Sequence, residues 1–176
     1  NLLGGVVFAE NVPEMHALSL KEKAMGAGVF MIGPASVGLF VPGSLKLGVI
    51  AGTLPSQVEK IATVLPGEIA LVTTSGGMIN ELTHTFMNAG KGISFALSCG
   101  GDRFGMTSPL EAVYAAEKDP KTKYIVYLGE LGGNDEYMLR DAVKAKEIKK
   151  PVYVYVAGDI SESFETPIQF GHAKAL

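Results

Sequence analysis

Tryptophan is absent from the 176-residue chain, cysteine occurs once and histidine three times. A single cysteine cannot pair within the chain, so no disulfide framework is available, and Cys99 reads as a buried, reduced thiol in a strand. The few His and Cys residues show no metal-ligand spacing, so no metal site is expected. No apolar run approaches the roughly 18 residues of a membrane span, and no signal-peptide pattern is visible. An excess of basic charge is missing too. Lys and Arg number 15 against 18 Asp and Glu, a formal net charge of −3, which offers no electrostatic footprint for nucleic acid or an anionic membrane. The reduced thiol and these absences predict a cytoplasmic protein. An initiator methionine is also lacking, and the chain is expected to be a piece of a longer one.

What is present is an apolar share of 47% and a charged share of 19%, the balance of a globular α/β protein. Six short apolar runs, at 6–8, 29–32, 69–72, 93–97, 124–128 and 152–156, are flanked by Gly, Pro or Asp and read as strands. Helix-length segments separate them, which argues for a parallel sheet covered on both faces. Met78, Leu82 and Phe86 recur every four residues as one apolar stripe. Pro109 suits the first turn of a helix that Asp119-Pro120 ends, and a further helix is expected over 134–146 with Asp135 and Glu136 in its first turn. Gly and Pro punctuate 38–67 and predict a domain junction there.

Three glycine-bearing strand ends carry the candidate chemistry. Thr73-Thr74-Ser75-Gly76-Gly77-Met78 joins a strand to a helix. Ser75 can cap, the glycines bare their N–H groups, and such a helix start attracts phosphate or carboxylate. An ordinary tight turn fits the same residues; a hydrolase elbow fits less well, because the pattern is not Gly-x-Ser-x-Gly. Gly129-Glu130-Leu131-Gly132-Gly133-Asn134 puts a glutamate at the carboxyl edge of the sheet, where it can orient an imidazole or stand as a solvated loop residue. Gly100-Gly101-Asp102-Arg103 is a third such end, equally readable as a plain turn. Finally Gly171-His172-Ala173 leaves an imidazole unhindered by neighbours. Together these groups describe a site for moving a phosphoryl group. His16 and His84 are assigned no role.

The order Ser75-Gly76-Gly77, Gly100-Gly101-Asp102, Gly129-Glu130-Leu131-Gly132-Gly133, Lys150-Pro151-Val152 and Gly171-His172-Ala173 resembles the succinyl-CoA synthetase α-subunit superfamily. Ala9-Glu10-Asn11-Val12-Pro13 and Ile32-Gly33-Pro34-Ala35-Ser36-Val37-Gly38 are similar to its CoA-side stretches, so the match covers nearly the whole chain. Ser75-Gly76-Gly77-Met78-Ile79-Asn80-Glu81, Gly100-Gly101-Asp102-Arg103-Phe104 and Gln169-Phe170-Gly171-His172-Ala173 bring it closer to the ATP-citrate lyase and citryl-CoA synthetase branch. Succinate enzymes carry a tyrosine where Asn80 stands. Two departures are Lys174, in place of the family's glycine, and Gly105-Met106, where relatives have Pro-Gly.

The resemblance implies a partial Rossmann-like CoA-binding domain over 1–53, a linker over 54–66, and a flavodoxin-like parallel-sheet ligase domain over 67–176. It implies that His172 carries the phosphoryl group and that Glu130 orients it. Ser75, Gly76 and Gly77 would hold phosphate and Asn80 would touch substrate. Glu10, Val12, Ala35 and Ser36 would line the CoA side. ATP and CoA are expected as substrates, with ATP and Mg²⁺ bound mainly by an ATP-grasp subunit or segment in a hetero-oligomer, and the product is expected to be citryl-CoA. A ligase for succinate or another dicarboxylate, and a non-catalytic CoA-binding or assembly module, are the alternatives.

Overall fold

A computed structural model describes residues 3–130, 132 and 134–158. Its centre is a six-stranded sheet in the order β4-β3-β6-β5-β7-β8, formed by β3 (Gly38–Val41), β4 (Leu45–Gly48), β5 (Pro66–Thr73), β6 (Ile93–Ser98), β7 (Tyr124–Glu130) and β8 (Val152–Ala157). The pairs β5–β6, β5–β7 and β7–β8 are parallel, while the β3–β4 hairpin adds to β6 antiparallel. The expected α/β architecture is therefore present as a mixed, mostly parallel sheet. Beside it, β1 (Gly4–Val6) and β2 (Phe30–Ile32) form a separate two-stranded parallel sheet connected by helix α1 (Glu14–Gly26).

The inner parallel strands β5, β6 and β7 are largely buried on both faces because helices cover both, whereas the edge strand β8 leaves Tyr153, Val154 and Tyr155 exposed. On β5, Ala70 and Val72 join Ala112, Val113 and Ala116 of α4 (Pro109–Lys118) and Leu139 and Ala142 of α5 (Asp135–Lys144) in one core. Leu71, between them in sequence, points the other way, into a core with Ile61 of α2 (Pro55–Ala62) and Ile79 of α3 (Gly76–Asn88). Strand alternation thus distributes one continuous apolar run between two cores. Truncating a fully buried side chain such as Ile79 to alanine costs about 2–5 kcal/mol.

The helix starts follow local chemistry. Ser108 and Glu111 cap α4 reciprocally: the Glu111 N–H donates to Ser108 Oγ at 3.2 Å, and the Ser108 N–H to Glu111 Oε2 at 2.7 Å. Pro55 occupies the first turn of α2, where its missing N–H is no loss, and Gln57 Oε1 accepts the N–H groups of Thr53 and Leu54. The segment expected as a linker at 54–66 therefore contains a helix and the first residue of β5. Likewise 38–48, expected on the CoA side of the junction, is a hairpin paired into the larger sheet. A Cβ on Gly38 would stand 2.0 Å from the Leu47 carbonyl oxygen, so its glycine permits the close strand approach.

Candidate active site at the sheet switch point

Numbered by appearance, the parallel strands β6-β5-β7-β8 run in the order 2-1-3-4, and the chain reverses direction across the sheet between β5 and β7. Open α/β sheets bind ligands beyond the carboxyl ends of the strands at this switch point. Thr74 and Glu130 stand there. The buried Thr74 hydroxyl donates to Glu130 Oε1 at 3.1 Å. Glu136, in the first turn of α5, braces the same edge: its Oε1 accepts the Tyr127 hydroxyl at 2.9 Å and the Glu130 N–H at 3.3 Å. A Cβ on Gly129 would meet that oxygen at 2.3 Å, so glycine is required for the contact. Burial first, then the adjacent Glu136 carboxylate, pushes the Tyr127 phenol far above its ordinary value, and it remains a neutral donor.

Next along the edge, Ser75 caps α3. Its Oγ accepts the Met78 N–H at 3.3 Å, and its own N–H donates to Thr73 Oγ1 at 3.1 Å. The helix then begins with two glycines of different standing. A Cβ on Gly76 would lie 2.6 Å from Val37 Cγ1, so tight packing demands glycine. A Cβ on Gly77 would meet nothing within 4 Å. Its missing side chain leaves open space at a helix N-terminus, where backbone N–H groups and the helix dipole favour an anion.

Across from α3 lie the loops that follow β1 and β2. The Ala35 N–H donates to the Ala9 carbonyl at 2.8 Å and the Ser36 N–H to the Val7 carbonyl at 3.3 Å. Gly33-Pro34 is a cis peptide, and Asn11 and Ala35 have left-handed backbones at φ 55° and 57°. The loop after β6 completes this side. Asp102 accepts two backbone N–H groups, that of Asn11 at 3.2 Å on Oδ1 and that of Val12 at 3.1 Å on Oδ2.

These elements enclose a cleft of 440 Å³. Of the residues expected to hold phosphate or substrate, Ser75, Gly76, Gly77 and Asn80 all line it; of those expected on the CoA side, Glu10 and Ala35 do. Val12 lines an adjoining cleft of 280 Å³ that shares Asn11 and Asp102. Ser36 does not reach either cleft with its hydroxyl. It is fully buried, donates to the Ser98 carbonyl at 2.5 Å and accepts the Gly38 N–H at 2.9 Å, so it ties the loop to the sheet. Asn80 Oδ1 accepts the Ala51 N–H at 2.8 Å, which orients the amide while it faces the cleft. Glu130 does not line this cleft; it stands beside Thr74. His172 and Lys174, with all of 159–176, lie outside the described residues.

Sequence reasoning missed Thr74, Asp102 and Glu136 as parts of this arrangement. Asp102 reads in sequence, with Gly100 and Gly101, only as part of a ligand-facing loop, because the partners that give it its role are some 90 positions away. Among the described residues lining the cleft there is no lysine or arginine, so the positive potential for an anion comes from backbone N–H groups.

The profile of the CoA-ligase family matches residues 72–176, from the end of β5 onward. The chain belongs to the CoA-ligase family. Over 95% of its length it is 38% identical to a protein of Schizosaccharomyces pombe named probable ATP-citrate synthase subunit 1, and over 96% it is 37% identical to the ATP-citrate synthase beta chain protein 1 of Oryza sativa subsp. japonica. The solved structure of ATP citrate lyase from Methanothrix soehngenii, in complex with citrate and coenzyme A, superposes with a TM-score of 0.88 at 37% identity over 98% of the chain. The chain spans only about a quarter of these proteins, 27% and 28% of the two relatives and 28% of the solved chain.

Within this CoA-ligase chain, no helix among the described residues is long and apolar enough to cross a membrane. No group of three or more His, Cys, Asp or Glu side chains among them is gathered closely enough to hold a metal ion.

Proposed function

We propose that the chain is the part of a citryl-CoA-forming enzyme on which an ATP-derived phosphoryl group, citrate and CoA meet, with His172 as the phosphoryl carrier. The observation that carries this reading is the single cleft shared by the α3 N-terminus and the 8–12 and 33–37 loops. A phosphate held at Gly76 and Gly77 and a CoA lying along Glu10 and Ala35 would be neighbours. The likeness to an ATP citrate lyase in complex with citrate and coenzyme A supports the choice of substrates.

The chemistry runs in three balanced steps. A neutral ring nitrogen of His172 attacks the γ-phosphorus of ATP; the N–P bond forms, the P–O bond to ADP breaks, and ADP leaves. A citrate carboxylate oxygen then attacks that phosphorus, releasing the histidine and forming citryl phosphate. The CoA thiolate attacks the acyl carbon and expels inorganic phosphate, leaving citryl-CoA. Glu130, held by Thr74, accepts the N–H of the other ring nitrogen and stabilises the charge on the phosphorylated ring. The N–H groups of Gly76 and Gly77 cradle the phosphate during both transfers. Asn80, its carbonyl held by Ala51, turns its amide donors toward a substrate carboxylate. An ATP-grasp subunit or segment supplies the nucleotide and Mg²⁺.

The same reading divides the chain into a CoA-side unit and a ligase unit. The pairing of β3 with β6 favours a boundary before Gly38 over one after residue 53.

The test is turnover by the full-length enzyme with its partner, given ATP, Mg²⁺, CoA and either citrate or succinate, with thioester products read by mass spectrometry. Citryl-CoA formed in preference to succinyl-CoA is expected. Succinyl-CoA as the main product would replace the substrate assignment, and no thioester from either acid would overturn the enzymatic reading.

A further inference from the structure

The loop that follows β6 does more than border the cleft. Asp102 is the one side chain of the described structure whose two carboxylate oxygens each accept a backbone N–H of the 9–13 loop, at Asn11 and Val12. Asn11 sits there with a left-handed backbone, a conformation that non-glycine residues hold only when their surroundings fix it. The start of α1 follows at once, and no side chain caps it. The aspartate therefore neutralises its charge against two peptide donors next to a helix N-terminus, with charge-assisted bonds stronger than neutral ones. Gly100 makes this possible. A Cβ there would stand 1.9 Å from the Pro34 carbonyl oxygen, so only glycine brings the loop close enough.

Other links join the same loop to the small unit, but none holds the 9–13 loop. Lys21 Nζ donates to the Gly105 carbonyl at 3.0 Å, the Met106 N–H to the Gly33 carbonyl at 2.7 Å, and Thr107 Oγ1 to the Met31 carbonyl at 2.6 Å. Those contacts dock α1 and β2 as bodies. The Ala35 N–H holds the Ala9 carbonyl before Glu10, and Asp102 holds the two N–H groups after it, with the Glu10 side chain exposed beside the cleft.

We infer that Asp102 is a positioning residue for CoA: it holds the Glu10-Asn11-Val12 backbone in its ligand-accepting shape and takes no part in phosphoryl transfer. The inference rests on the proposed function, because it needs CoA to lie along that loop. It predicts a split between two half-reactions of one enzyme. CoA capture depends on the clamp, and phosphorylation of His172 does not.

The experiment compares wild type, Asp102→Asn and Lys21→Met in the full-length enzyme with its partner. CoA binding is measured by calorimetry, histidine phosphorylation by labelled ATP without CoA, and folding by thermal melting. Asparagine keeps the shape but is neutral and offers one acceptor oxygen, so one of the two bonds is lost and the other is no longer charge-assisted. Asp102→Asn is expected to weaken CoA binding, and to raise KM for CoA, about tenfold, with phosphorylation and KM for citrate within about twofold of wild type. Lys21→Met, which cuts a docking contact of the same loop, is expected to bind CoA as wild type does. Unchanged CoA affinity in Asp102→Asn overturns the inference. Equal losses of CoA binding and phosphorylation, or an equal loss of CoA binding in Lys21→Met, also overturn it, because the residue would then serve only the packing of the units. A wild type that takes up label but binds no CoA would refute the proposed function instead, and is distinguishable for that reason.

Discussion

The Thr74 hydroxyl donates to Glu130 Oε1 at 3.1 Å, across the carboxyl ends of β5 and β7. These two strands are hydrogen-bonded neighbours with Thr73 opposite Leu128, so Thr74, just past β5, and Glu130, the last residue of β7, are held within reach by the sheet itself. The bond links the phosphate-holding turn to the carboxylate proposed to steer the histidine. Thr74→Val keeps the shape of this buried side chain and deletes the donor. Phosphohistidine formation, followed by rapid quench in the full-length enzyme, is expected to fall about tenfold, for a stability loss of about 1 kcal/mol. In a double-mutant cycle with Glu130→Gln the two effects should be far from additive, because they act through one carboxylate. Additive effects would separate Thr74 from Glu130.

The two glycines that begin α3 should respond differently to alanine. Gly76→Ala forces a methyl to 2.6 Å from Val37 Cγ1, and overpacking of this kind costs about 1–3 kcal/mol. Gly77→Ala meets no protein atom within 4 Å and should leave stability unchanged or raise it by up to about 1 kcal/mol, since alanine favours helix. Yet its methyl occupies cleft space where the phosphate is proposed to lie. Urea unfolding combined with phosphorylation assays should therefore show a stable but slow Gly77→Ala protein. Normal phosphoryl transfer in that variant would move the phosphate away from this helix start.

Legibility of the chain in its sequence followed the range of the interactions. Ser75, Gly76 and Gly77 were readable because capping and bare N–H groups are local properties of a strand-to-helix turn. The parallel strands were readable from their apolar runs, and α4 from its Pro109 start. The β3–β4 hairpin was not, because Gly38, Gly43 and Gly48 read as breakers, whereas their positive φ angles of 110°, 69° and 90° belong to closely paired strands and their turn. Pro55 misled in the same way. It marks a helix start in the structure and a linker on the page of sequence. Ser36 shows the limit of carrying a role by motif alone. The motif lies beside the cleft, but its hydroxyl is engaged with Ser98 and Gly38. Asp102, Thr74 and Glu136 act through partners that only the fold brings near.

Acid should loosen the end of α4 at Asp119, the residue that closes it. Burial opposes ionisation of this carboxyl, but hydrogen bonds from the Thr122 hydroxyl and the Lys121 N–H, aided by the charges of Lys150 and Lys121, outweigh it and hold the group below its ordinary value. A depressed value in the fold means that the stabilisation is fully present above the unfolded carboxylate value of about 3.9 and is lost as pH falls below it. Asp119→Asn should lower stability at neutral pH and flatten the acid-induced loss, as measured by urea unfolding at stepped pH. An unchanged acid limb would show that the hydrogen bonds to Asp119 contribute nothing net.

The central claim is that a phosphoryl group travels on His172. Its most direct measurement incubates the full-length enzyme and its partner with γ-labelled ATP and Mg²⁺, maps acid-labile label by peptide, and chases with citrate plus CoA or succinate plus CoA. Label is expected on His172 that citrate and CoA discharge and succinate and CoA do not, with none in His172→Asn. A folded, ATP-binding enzyme that forms citryl-CoA with no label on His172 would contradict it.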